Sequence, residues 1–209
     1  MKGARIMPKR TIHYPLTIRE LLKQVARETA RMSYPGSMSR GKKQVVKGGA
    51  KLKIEEYFVS AFPLATLWTD TRQIADNDDD WHEQQTQALG RFLVRHECLG
   101  NPANNSSAVG AKFINTFMHQ LTKYERLRPL WPHLHLPLDV RVFQSFALLD
   151  SPAITKIRER VGSNSAYAIS YSDYKFVQDT LWDFISELNS RPGAEFKVKS
   201  RIELNYQWL

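Results

Sequence analysis

Apolar residues recur at helical spacing through most of the chain, and this pattern predicts its secondary structure. Segments with one apolar and one polar face at a period of about 3.6 residues are typical of amphipathic α-helices. The segments with this pattern are 17–32, 53–69, 81–96, 112–124, 139–149, 151–160 and 172–189. Pro63 must kink or divide the second segment, because proline interrupts helical hydrogen bonding. The pattern indicates an all-α protein, which we expect to form two helical lobes with a cleft between them.

The segment 112–124 contains the first candidate chemical group, a lysine at its beginning. Its apolar face is formed by Phe113, Ile114, Phe117, Met118, Leu121 and Tyr124. Lys112 lies opposite the centre of that face, and Gly110 allows a sharp hairpin just before it. We therefore predict that Lys112 lies in the first helical turn. There the helix dipole disfavours an ammonium and makes a free amine more available as a nucleophile. A lone lysine is, however, most often a solvated helix residue.

Asp139 is the second candidate group. It follows Pro137 and Leu138 and precedes apolar residues at helical spacing, which predicts that it caps a helix N-terminus. A capping aspartate accepts backbone N–H bonds and stays ionised. The cap alone has a purely structural explanation. The hairpin, the lysine and the capping carboxylate in this order indicate instead that an amine and a carboxylate share one pocket.

Two segments carry a family resemblance. Val109-Gly110-x-Lys112, followed after a helix by Pro137-Leu138-Asp139-Val140-Arg141-Val142, resembles the lysine and aspartate segments of the 8-oxoguanine DNA glycosylases of the helix-hairpin-helix superfamily. The long link between the segments and the arginine after the aspartate are more similar to the archaeal-type branch. The resemblance covers about forty residues, and Ser106-Ser107-Ala108 stands where the family's hairpin reads Leu-Pro-Gly.

The resemblance implies a helix-hairpin-helix glycosylase-like core and a role in base excision repair. The enzyme would flip an oxidised purine, most simply 8-oxoguanine, out of duplex DNA and remove it. Lys112 would attack the sugar and form an imine, or Schiff base, while Asp139 stabilises the oxocarbenium charge. The imine would permit β-elimination, which is a lyase activity that requires neither a metal nor an organic cofactor.

DNA contacts are expected from two sources within this core. Flanking phosphates would be held by the hairpin backbone and by the arginine after the aspartate: Val109, Gly110, Ala111 and Arg141. Aromatic residues on apolar helix faces are core residues more often than ligand platforms. Only His119 and Trp182 are therefore candidates for the base pocket.

Charge is distributed unevenly along the chain. The formal net charge is +9, with +12 in residues 1–53 and −3 in residues 54–209. This asymmetry predicts a basic N-terminal helix and flexible cationic loop in 1–53, joined to a helical glycosylase-like core in 54–209. The loop residues expected to contact the DNA backbone are Arg40, Lys42, Lys43 and Lys47. The alternative is a solubilising tail without a partner.

Metal ligation is not expected from the sequence. The acidic run Asp76–Asp80 lacks the glycine and spaced glutamate of a calcium loop, and solvation of a helix N-terminus explains it better. The histidines and the single cysteine fit no standard zinc spacing: His82, His96, Cys98, His133 and His135. We therefore predict no metal and no cofactor, and Cys98 is expected to be a buried apolar residue.

The predicted setting is a monomer in the cytoplasm, associated with the nucleoid and acting on double-stranded DNA that contains a damaged base. No segment has the roughly 20 apolar residues of a membrane span, and the N-terminus has no apolar signal core. Three alternatives remain open: a monofunctional glycosylase that uses water, a DNA-binding protein without catalysis, and an RNA-directed protein.

Overall fold

The chain folds into a set of packed helices. A computed structural model describes residues 17–34, 44–101, 105–162, 166–191 and 197–204. The α-helices of these residues are α1 Ile18–Ser33, α2 Ala50–Ser60, α3 Leu64–Thr69, α4 Thr71–Asp76, α5 Asp78–Arg95, α6 Ser106–Leu121, α7 Val140–Leu148, α8 Pro152–Val161 and α9 Tyr171–Asn189. Two 3₁₀ helices span Glu125–His133 and Arg201–Glu203. The prediction of a predominantly α-helical protein is confirmed for the described residues.

Strand structure is minimal in the described part of the chain, where an isolated bridge joins Val46 to Leu99. Lys47 N donates to Cys98 O at 2.7 Å beside this bridge, and Gly100 N donates to Val45 O at 3.0 Å. These bonds fix residues 44–49, which the sequence analysis had assigned to the end of a flexible loop. Among the described helices, none combines the length and the apolar character that crossing a bilayer requires.

Polar side chains mark where several helices begin. Thr17 and Glu20 form a capping box at α1, in which Thr17 N donates to Glu20 Oε2 at 2.8 Å. Ser151 caps α8 and is followed by Pro152, and Ser170 caps α9. These caps satisfy backbone N–H groups that the first helical turn leaves without partners. Pro63 divides the predicted segment 53–69 as expected, since it lies between α2 and α3.

The buried apolar residues form two clusters. The first cluster contains residues from each of the helices α1, α2, α3, α4 and α5, from one side of α6 and from the longer 3₁₀ helix. Within it, the rings of Phe58 and Phe117 stack with centroids 3.9 Å apart. The second joins α7, α8 and α9 with the segment that precedes α7. Burying each large side chain of this kind contributes about 1.5–3 kcal/mol. Helix α2, in the first cluster, spans the boundary that the sequence analysis placed at residue 53.

Helix α6 is shared by the two clusters. Val109 and Phe113 belong to the first cluster, whereas Ala108 and Ala111 belong to the second. Both sides of α6 are therefore covered, and two of its polar residues, Lys112 and Asn115, are buried.

Candidate functional site

Lys112 lies in the second turn of α6 and is buried. Asn105 caps the helix, and its Oδ1 accepts hydrogen bonds from the backbone N of Ser107 and Ala108. Lys112 is consequently the seventh residue of the helix, and only 9% of its surface is exposed. The prediction that it lies in the first helical turn is wrong, because the helix begins at Ser106. The alternative of a solvated lysine is also excluded, since Nζ is paired with Asp139 at the N-cap of α7.

The predicted hairpin at Val109, Gly110 and Ala111 is also wrong, since all three residues lie within α6 and are buried. Gly110 is instead needed for close packing against α5. A Cβ atom at Gly110 would lie 2.7 Å from the Thr86 carbonyl oxygen and 3.3 Å from Gly90 N. Gly110 therefore packs against α5, and the three residues form buried helix in place of an exposed hairpin that could hold a phosphate.

Asp139 joins the cap of α7 to Lys112. Its Oδ1 accepts hydrogen bonds from the backbone N of Arg141 at 2.9 Å and Val142 at 3.1 Å. Its Oδ2 lies 2.7 Å from Lys112 Nζ, which makes a charge-assisted hydrogen bond. The predicted helix cap is confirmed. The lysine and the aspartate are also brought together, although they are 27 residues apart in the chain.

The surroundings keep Asp139 ionised. Burial raises the pKa of its carboxyl, but the charge and hydrogen bond of Lys112 and the two backbone N–H groups outweigh burial, so this pKa lies below its usual value. Burial, with the nearby charge of Asp139, raises the pKa of Tyr167 to about 12. The backbone carbonyl oxygen of Tyr167 also accepts a 2.7 Å hydrogen bond from the backbone N of Asn105, the residue that caps α6.

The extended segment 134–139 that carries Asp139 is held by side chains from two helices. Gln178 of α9 makes two hydrogen bonds with the backbone of Leu136: it accepts from Leu136 N at 3.0 Å and donates to Leu136 O at 2.8 Å. Asn115 Nδ2 of α6 lies 3.5 Å from the same carbonyl oxygen. Because Gln178 and Leu136 are fully buried, these bonds fix the approach to α7.

A buried polar network begins one turn beyond Lys112. His82 Nε2 lies 2.7 Å from Asn115 Oδ1, and Asn115 Nδ2 donates to the Tyr174 hydroxyl at 2.8 Å. The same hydroxyl lies 2.9 Å from His135 Nδ1. Burial lowers the pKa of His82 to about 4 and the pKa of His135 well below its usual value, so both rings are uncharged at neutral pH. The sequence indicates His82 and His135 only as zinc ligands of no standard spacing, and nothing in it predicts this network.

A small cavity adjoins this network. It is lined by Ile74, Asp78, Trp81, His82, Asn115, Met118, Leu130, His133, Leu134 and His135, and its volume is about 30 Å³. That volume holds a water molecule but is too small for a purine. This cavity is therefore not a preformed base pocket.

The predicted DNA-binding side chains are distributed over the chain. Arg141 is exposed in the first turn of α7, two residues from Asp139. Lys47 is exposed, and its Nζ lies 3.8 Å from Glu97 Oε2. Arg40, Lys42 and Lys43 lie outside the described residues.

The two candidate base-pocket residues are on different helices. His119 lies on α6 two turns beyond Lys112, and its ring centroid is 5.3 Å from that of Trp131. Trp182 lies on α9, where the Arg201 guanidinium is 5.3 Å from its ring. Both are thus involved in contacts within the protein, and their role in base binding stays a prediction.

Comparison with known proteins identifies no family for this chain. The chain has no significant match to a protein-family model, to a curated protein or to a solved structure.

Proposed function

We propose that this chain is a DNA glycosylase with an associated lyase activity, which excises an oxidised purine, with 8-oxoguanine the expected base, from duplex DNA. The observation that carries the proposal is the 2.7 Å distance between Lys112 Nζ and Asp139 Oδ2. An amine and a carboxylate at this distance can exchange a proton and act on one sugar. The resemblance of the two segments that contain them to glycosylase segments gives the pair this chemical interpretation.

Lys112 is the nucleophile in the proposed reaction. After its proton has passed by way of Asp139 to solvent, which leaves Asp139 ionised again, Nζ attacks C1′ of the flipped nucleotide. The bond from C1′ to the base breaks, and its electron pair leaves with the purine, which takes up a proton. The sugar ring then opens between C1′ and O4′, with a proton going to O4′, and an imine forms between C1′ and Nζ. Loss of a C2′ proton breaks the C3′–O3′ bond and releases the 3′ phosphate.

Asp139 supplies the electrostatic part of the proposed mechanism. Positive charge develops on the sugar as the bond to the base breaks, and a fixed carboxylate stabilises that charge most when little water surrounds it. Asp139 is fixed by two backbone N–H groups and by Lys112, and its side chain is 29% exposed. A lowered pKa also keeps it ionised at neutral pH.

DNA is proposed to approach along the N-terminal end of α7. Arg141 is exposed there, and the chain as a whole carries a net charge of +9 that favours a polyanion. The sharing of α6 by two hydrophobic clusters supports two lobes with the Lys112–Asp139 pair between them. Because the nearby cavity is too small for a purine, the proposal requires the base pocket to open when DNA binds.

A monofunctional glycosylase is the second candidate, and one observation favours it. The 2.7 Å bond to Asp139 holds Lys112 as an ammonium, which is not a nucleophile until it loses a proton. In this version, Asp139 activates a water molecule, Lys112 positions Asp139, and no covalent intermediate forms.

A panel of duplexes, each with one damaged base, tests the proposal. We expect base release and strand scission on the duplex that contains 8-oxoguanine. Asp139→Asn should slow base release by about a hundredfold, the effect of removing one fixed electrostatic group. Lys123→Gln is the control variant, because Lys123 is an exposed lysine just beyond the end of α6 and should be dispensable. Base release without scission would favour the monofunctional enzyme, and no release from any duplex would contradict both candidates.

A further inference from the structure

We infer that Asp78, Asp79 and His135 form a binding site for one divalent transition-metal ion. Asp78 and Asp79 begin α5, and His135 lies in the segment that leads to α7. One ligand atom from each residue lies within 4.8 Å of the other two. The site is distinct from the Lys112–Asp139 pair, and the inference does not depend on the proposed enzymatic function.

His135 supplies the observation that points to a ligand. Its side chain is only 3% exposed, and its Nε2 atom makes no aligned hydrogen bond although it lies 3.4 Å from Asp79 Oδ1. Two ligands of a tetrahedral ion with bonds of about 2.1 Å are separated by about 3.4 Å. The nitrogen and the carboxylate oxygen are therefore already separated as two ligands of such an ion would be.

The other ring nitrogen of His135 is suited to this role. Nδ1 lies 2.9 Å from the Tyr174 hydroxyl, and in the tautomer that binds a metal Nδ1 carries the proton and donates it to the hydroxyl oxygen. Nε2 then has a lone pair available for a metal, and the ring is held in one orientation. Metal-bound histidines ordinarily have an outer-shell partner of this kind, which fixes both the tautomer and the ring.

The ligand atoms indicate the class of ion. One imidazole nitrogen and two carboxylate oxygens suit Zn²⁺, Co²⁺ or Mn²⁺, whereas Ca²⁺ and Mg²⁺ prefer oxygen ligands alone. The side chains of Asp78 and Asp79 are 30% and 44% exposed, so they can rotate toward an ion and leave room for water ligands.

Lys175 competes with the metal in this account. Its Nζ lies 2.5 Å from Asp79 Oδ2, and its side chain is 42% exposed, so it can withdraw into solvent. Arg201, by contrast, is 3% exposed and lies 3.7 Å from Asp78 Oδ2. The guanidinium therefore stays when the ion binds and moderates the affinity of the site. The bound ion would tie the first turn of α5 to the segment 134–139.

Titration of the metal-free full-length chain tests the inference, with Zn²⁺ followed by calorimetry and Co²⁺ by its visible absorption. We expect one equivalent of either ion to bind, and Mg²⁺ to bind far more weakly. Asp79→Asn and His135→Gln should each weaken binding by at least about a hundredfold, more than loss of an outer-shell partner does. His96→Gln is the matched control for a surface histidine and should bind as the unmodified chain does.

Lys175→Met should bind Zn²⁺ more tightly than the unmodified chain, a gain that a misfolded variant would not show. Removing the competing ammonium should tighten Zn²⁺ binding by about fivefold, which corresponds to roughly 1 kcal/mol for a partly exposed ion pair. The inference is overturned if the unmodified chain binds no Zn²⁺ or Co²⁺, if Asp79→Asn and His135→Gln both bind normally, or if His96→Gln abolishes binding. It is equally overturned if Lys175→Met does not bind more tightly.

Discussion

The Lys112–Asp139 pair should make a measurable contribution to stability, and loss of the aspartate charge should cost more than loss of the lysine. Two unit charges 2.7 Å apart attract by about 6 kcal/mol at an effective dielectric constant of 20. Several kcal/mol of desolvation per buried ion oppose this attraction. Charge-assisted hydrogen bonds contribute about 1.5–3 kcal/mol net, and we expect a coupling energy of about 2 kcal/mol between the two side chains.

Of the two single variants, Asp139→Asn should destabilise the folded chain more than Lys112→Met. Asp139→Asn keeps the cap of α7 but leaves an ammonium with a 10% exposed side chain beside a neutral amide, so it should lower the free energy of unfolding by about 2–3 kcal/mol. Lys112→Met removes the buried ammonium itself. Asp139 then retains its backbone N–H donors and partial exposure, and the cost should be about 1 kcal/mol.

Urea unfolding of the unmodified chain, both single variants and the double variant measures the coupling. We expect the double variant to be more stable, by about 2 kcal/mol, than the sum of the single effects implies. A coupling energy below about 0.5 kcal/mol would show that the two charges are solvated and independent. Such a result would refute the description of the pair as a desolvated unit.

Three further outcomes are expected. Gly110→Ala should destabilise the chain by about 1–3 kcal/mol in thermal or urea unfolding, because the new methyl group would meet the Thr86 carbonyl oxygen. Gly48→Ala, which has open space around it, should change stability by less than about 0.5 kcal/mol, and equal effects would contradict the packing argument. Gln178→Met should cost about 2 kcal/mol in the same assay, since it leaves the buried backbone N–H of Leu136 without an acceptor, and a neutral effect would count against that role. Because the pKa of Asp139 is lowered, its contribution to stability should be complete above about pH 4 and lost as the pH falls through its folded-state pKa, so the difference between the unmodified chain and Asp139→Asn should shrink only in acid.

The sequence predicted the helices and the cap at Asp139 because these depend on neighbouring residues. Hydrophobic periodicity identified most helical segments, and Asp139 preceding an apolar run marked the start of α7. The burial of Lys112 was not predictable in this way. Periodicity assigns the apolar face of α6, but it does not reveal that Asp139, 27 residues later, lies against Lys112 on the opposite face.

Gly110 shows a second limit of prediction from the sequence. Glycine permits a sharp turn, and it also permits two helices to approach closely, so a single sequence does not distinguish the two uses. The structure assigns Gly110 to a close helix crossing. His135 and Asp79 show a third limit, because their proximity depends on how α5 and the segment before α7 pack together. In the sequence, Asp79 indicates only a solvated helix N-terminus, and His135 fits no standard zinc spacing.

Borohydride trapping on a duplex that contains 8-oxoguanine tests whether Lys112 is the nucleophile, because only an enzyme–DNA imine is reduced to a stable adduct. We expect an adduct that maps to Lys112, that is abolished in Lys112→Gln, and that is retained in Lys123→Gln. Lys112→Gln should still bind the duplex. An adduct that persists in Lys112→Gln, or the absence of any adduct while the base is released, would contradict the assignment of Lys112 as the nucleophile.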